Sequence, residues 1–179
     1  MAAPNEPKSG GHVDLFLKVT GQKQGVIKGE SFDSKHAGEI DIVSYNWSVI
    51  QPVTSDTGMS TGKRQHGKFI FLMRSQSSTP RLLSAACTGE FLKDVTLTCR
   101  KAGGKQQEYM VWKLTNAFVA SVKTGCLLPN DITPYDEVSM VFQKIELDYK
   151  PQNADGSLGA GIMFMDASPR DGHNVQRVL

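Results

Sequence analysis

Apolar residues in this chain recur mostly at every second position, the period of a strand with one buried face. Val13, Leu15, Leu17 and Val19 alternate with Asp14, Lys18 and Thr20, which predicts a first strand with Phe16 out of phase. Val43, Tyr45, Trp47 and Val49 alternate with Ser44, Asn46 and Ser48, a second strand with one polar face. Residues 69–73 form a third. Residues 95–100 and 108–114 flank the glycines of Lys101-Ala-Gly-Gly-Lys105, a hairpin signal because glycine supplies the positive φ of tight turns. Residues 117–123 and 137–150 complete the set. In the last run Val138, Met140 and Phe142 are apolar at even positions, but Ile145, Leu147 and Tyr149 at odd ones. Side chains flip faces at each residue, so this strand must bulge or bend, and the change of phase puts the bend at Gln143-Lys144.

One helix stands out. Ser78 offers an N-cap hydroxyl, and Pro80 sits where its missing N–H costs nothing. Leu82, Leu83, Ala85 and Ala86 follow, and Gly89 is placed to stop the helix. One short flanking helix beside antiparallel strands predicts a mainly β fold, a barrel or sandwich closed or nearly closed to protect its edges. Residues 1–12 read as a flexible N-terminal segment and 13–152 as the folded domain. From residue 153 the pattern dissolves into Gly, Ser, Asp and Pro around one apolar patch, 162–165. It reads as a C-terminal tail, loose or docked through that patch.

Size and charge narrow the functions. At 179 residues the chain is one domain by length and needs no disulfide or metal to fold. A net charge of +2 with scattered Lys and Arg leaves no electrostatic footprint for nucleic acid. No apolar run approaches the ~18 residues that would insert in a membrane. The N-terminus lacks the apolar stretch of a secretory signal, so the protein reads as made in the cytoplasm and exported, if at all, without a signal peptide. Cys87, Cys99 and Cys126 are odd in number and not spaced C-x-x-C, which favours neither a disulfide framework nor a zinc knuckle. Cys99, in phase with Val95 and Leu97, reads as a core thiol.

The candidate chemistry is thin. Glu30, Asp33, His36, Glu39 and Asp41 concentrate carboxylates around one histidine, an arrangement that can do acid/base work or bind a metal. Their spacing fits no motif with a defined mechanism: His36-Ala-Gly-Glu39 lacks the second histidine of H-E-x-x-H. The segment reads instead as a mobile polar connection whose charges stay solvated or pair with a neighbouring subunit. Asp56-Thr57-Gly58 is the triplet of aspartic proteases without the hydrophobic strand that should precede it. Residues 58–63 echo a phosphate-binding loop with one residue too few between the glycines, followed by Arg64 where a hydroxyl is needed. Trp47 and Trp112, in alternating strands, read as core. The row Ser44, Asn46, Ser48 suits a smooth wetted wall as well as ordinary solvent exposure.

Five blocks in order carry a family resemblance. They are the opening VDLFLKVTG, the GES…H…EID…W block over 29–47, the helix STPRLLSAACTG, the hairpin LTCRKAGGKQQEYMVWKL, and the closing VSMVFQKIELDYKPQNADGS. Together they resemble the Hcp proteins of bacterial type VI secretion systems. The resemblance implies a β-barrel with one flanking helix that forms six-membered rings, stacked into a tube. A contracting sheath would drive the tube, tipped by a spike protein, to the outside or into a target cell, with small effectors held in the lumen. It implies a structural protein without catalytic residues or cofactors. Ser44, Asn46 and Ser48 would face the lumen, with Asn46 where the family often has serine. The loop 51–67, through Thr54, Ser55, Asp56, Lys63 and Arg64, would reach neighbouring subunits or the next ring. A phage tail-tube-like protein of a contractile particle is the physically similar alternative. The tail after Gly156 matches only weakly and receives no role.

Overall fold

A computed structural model describes residues 13–54, 56, 58–101, 106–126, 133–153 and 156–167. The expected flexible segment 1–12, the 102–105 turn, Ser55 and the end of the tail, 168–179, lie outside the described residues. The elements are β1 (Val13–Gly21), β2 (Gly25–Ile27), β3 (Ile40–Asn46), β4 (Val49–Ile50), β5 (Gln65–His66), β6 (Phe69–Arg74), α1 (Thr79–Thr88), β7 (Phe91–Lys101), β8 (Gln107–Gly125), β9 (Tyr135–Val141), β10 (Lys144–Tyr149) and β11 (Ile162–Ala167).

Antiparallel pairing runs β1–β3–β6–β9–β8–β7 and back to β1, which closes a six-stranded barrel. Closure satisfies the edges that the alternation demanded. The inward positions Leu17, Ile40, Phe69, Phe71, Leu97 and Met140 are all buried, so among the described residues side chains fill the barrel. Cys99 is part of this core, and burial pushes its thiol up to about 11. Trp112 is buried there too; its indole donates to the Tyr45 hydroxyl at 3.2 Å, whose own ionisation burial pushes up to about 12.

Three strand expectations need correcting. Residues 108–114 and 117–123 are not separate strands: β8 runs through both, and Asn116, at φ 51°, turns it without ending it. The 137–150 run does divide by phase, but the break falls at Phe142-Gln143, one residue early, and β9 and β10 follow one another end to end along β8. The predicted 43–49 strand starts earlier and stops sooner. A bulge between Ile42 and Ser44 shifts its phase, so Ile40 and Ile42 point inward, Val43 is 50% exposed, and Tyr45 and Trp47 then pack against the core. Trp47 and Ser48 lie in the connection to β4.

The helix forms as predicted, and Gly89 ends it in the left-handed conformation at φ 63°. The cap differs. Ser78 makes no side-chain cap bond; instead the fully buried Asp136 of β9 accepts from the Ser75 and Thr79 hydroxyls and ties the helix start to the barrel. The apolar patch at 162–165 docks as β11, pairing with β10 at the open edge of a sheet extension.

Candidate functional site

The polar segment after β2 is not the mobile, solvated connection expected of it. Residues 29–31 pair with 38–39: Gly29 N–H donates to Gly38 O at 2.8 Å, Ser31 N–H to Glu39 O at 3.0 Å and Gly38 N–H to Ser31 O at 2.9 Å. Asp33 folds the turn by accepting from the Lys35 and His36 amides. Its other oxygen meets the Arg100 guanidinium of β7 at 2.7 Å, and that bond holds the carboxyl down at about 2. Arg100 also binds Asp14 of β1 at 2.9 Å. Asp33 and Asp14 therefore pair within the chain, through Arg100.

This loop explains Phe16. Its ring faces outward from β1, where His36 stacks on it at 4.2 Å and 6° and Arg100 lies 4.8 Å from its centroid. His36 is buried, with Nδ1 2.9 Å from Glu39 and Nε2 3.5 Å from Glu108. The out-of-phase aromatic and the family-marking histidine are thus the two halves of one contact. Glu30 points away, accepting from Ser77 N–H at 2.8 Å, and Asp41 is exposed on β3. The five residues do not converge on a point. Among the described residues, no three His, Cys, Asp or Glu side chains group as metal ligands.

Ser44 and Asn46 lie on the outward face of β3, and Ser48 follows in the connection; all three are exposed. The 51–64 segment is a hairpin-like extension on the short β4–β5 ladder. Thr54 N–H donates to Met59 O at 2.9 Å and Thr61 N–H to Pro52 O at 3.0 Å. Thr54, Asp56 and Lys63 are exposed, and Gly58 turns the tip at φ 64°. Asp56 thus stands in a surface turn, and residues 58–63 lead to β5 rather than into a helix. Arg64 instead binds Asp166 of β11 through both oxygens. Sequence reading missed β11 as a strand and missed Asp166, because a run of apolar residues without alternation carries no strand period.

The chain with this fold matches known proteins. The family model described as "Type VI secretion system effector, Hcp" matches residues 16–149. The chain belongs to the Hcp family. This Hcp chain is 36% identical over 152 residues to Protein hcp1 of Pseudomonas aeruginosa, covering 83% of this chain and 90% of that protein. It is 25% identical over 158 residues to the Major exported protein of the same organism, covering 79% and 92%. The crystal structure of a type VI secretion system effector from Yersinia pestis superposes at TM-score 0.70 and 27% identity, covering 87% of this chain and all of that one. No helix among the described residues is long and apolar enough to cross a membrane.

Proposed function

We propose that this Hcp protein is the non-enzymatic tube subunit of its secretion system, assembling into six-membered rings that stack, leave the cell and carry small effectors. The observation that supports it is the filled barrel beside an exposed polar row. A protomer whose interior is packed offers no conduit, so a conduit has to lie between protomers and be walled by their outward faces. Ser44, Asn46 and Ser48 supply short, uncharged groups suited to such a wall. A head-to-tail contact closes into a ring when its rotation divides a full turn, and stacking extends the ring into a tube. The contractile sheath outside and a spike at the tip are the partners this role requires.

Native mass spectrometry and electron microscopy of the purified protein should show six-fold rings, and a strictly monomeric species at high concentration would refute them. Asn46→Arg should abolish crosslinking of effectors to the ring interior while rings persist. Unchanged crosslinking in that variant removes Asn46 from the wall.

A further inference from the structure

The projecting hairpin joins the rest of the chain through a short ladder. The β4–β5 ladder is two residues long on each side, Val49 opposite His66 and Ile50 opposite Gln65. A ladder that short is not stable alone. What fixes it comes from the other end of the chain. Arg64, just before β5, gives Nε to Asp166 Oδ2 and Nη2 to Asp166 Oδ1, with Nη2 also 3.3 Å from the Ala167 carbonyl. A two-pronged guanidinium–carboxylate contact sets orientation as well as distance. His66 then turns inward, 7% exposed, with Nε2 3.3 Å from the same carboxylate. Its ring lies 5.8 Å from Trp47 at 21° and 5.8 Å from Phe142 edge-on, while Trp47 also meets Phe164 of β11 at 6.2 Å. Among the described residues, Asp166 is the charged group against His66. A carboxylate 102 residues away in sequence thus takes the Arg64 guanidinium and lies beside the His66 ring at the hairpin's base.

We propose that Asp166 is the positioning residue of the hairpin: it fixes the direction in which residues 51–64 are presented to a neighbouring copy of the chain. This rests on the ring-and-stack reading above. Strand β11 is then an arm of the assembly apparatus, in addition to its place as an edge strand. Val49 and Ile50 at the hairpin base, and Ile162 and Met163 on β11, are exposed apolar side chains.

The test compares wild type with Asp166→Asn, Arg64→Lys and the exchanged pair Arg64→Asp/Asp166→Arg. Hydrogen exchange should lose at least tenfold protection over residues 49–66 in the two single variants, with the amides of β1, β7 and β8 unchanged. Self-association measured by sedimentation should weaken at least tenfold in Asp166→Asn, and the exchanged pair should regain part of both. Arg64→Lys keeps the charge but not the fork, so it tests orientation apart from attraction. Wild-type association with unaltered association and protection in Asp166→Asn would overturn the role of Asp166 alone. Absence of self-association in the wild type would overturn the ring reading itself, and this inference with it.

Discussion

Replacing Arg100 with methionine should destabilise the fold more than any other change of one surface-facing charge. The Arg100 side chain is 4% exposed and holds two carboxylates, Asp33 at 2.7 Å and Asp14 at 2.9 Å, over the Phe16 ring. Methionine retains an apolar stem and a sulfur contact to that ring, so the variant isolates the charge. Breaking a buried ion pair from one side costs roughly 3–5 kcal/mol, because a charge is left without its partner. Asp14 is 37% exposed and rehydrates, which argues for the low end of that range. About 3 kcal/mol, divided by a urea dependence of roughly 2–3 kcal/mol per molar, lowers the unfolding midpoint by about 1–1.5 M. The assay is urea denaturation followed by fluorescence, at pH 7, for Arg100→Met, Asp33→Asn and the double variant. In the Asp33→Asn background the arginine should matter less, since one carboxylate no longer needs it. A midpoint drop under about 0.3 M, within the range of ordinary surface changes, would refute the burial argument. Equal cost in both backgrounds would refute the pairing.

Two further outcomes test the same loop. A Cβ at Gly29 would lie 2.4 Å from the Glu39 carbonyl oxygen and 2.6 Å from Ile40 Cα, both backbone, whereas one at Gly38 meets open space and only the strain of φ 73°. Gly29→Ala should therefore cost about 3 kcal/mol and Gly38→Ala about 1, and denaturation showing the reverse order would discard the close-approach explanation. Asp33 is held at about 2 by Arg100, below its ordinary 3.8, so its contribution is full above pH 4 and is lost as the pH falls towards 2. Asp33→Asn should flatten the fall in urea midpoint over that interval, although Glu90 and Asp166, also held low, keep some slope. An undiminished slope would show that Asp33 is not among the groups responsible.

Alternation made the barrel strands readable because a filled, closed barrel buries alternate side chains on most of its strands. The exceptions are where a second layer or a bulge intervenes. Phe16 breaks the pattern of β1 because residues 28–39 cover the outer face there. Val43 sits where β3 bulges, so its apparent kinship with Tyr45 does not survive folding. Asn116 looks like a strand end, yet its left-handed backbone turns β8 and lets it serve β10 with one half and β9 with the other. The carboxylates around His36 looked solvated for a similar reason. The cation that takes up Asp33 stands 67 positions further on, and nothing local in the sequence announces it.

The polar residues thereby divide by what their surroundings demand. Asp33, Asp136 and Glu90 have hydrogen-bond partners from distant elements: Arg100, the Ser75 and Thr79 hydroxyls, and the Lys23 and Gln24 amides. Such groups fasten loops and the helix to the barrel, and changing them alters stability first. Ser44 and Asn46 face outward on β3, where uncharged side chains carry little weight in folding. A change at Asn46 should therefore leave the urea midpoint nearly unmoved while acting on cargo, the opposite of a change at Arg100. That separation distinguishes a residue that folding needs from one that it does not, and the urea midpoint of the purified protein measures it.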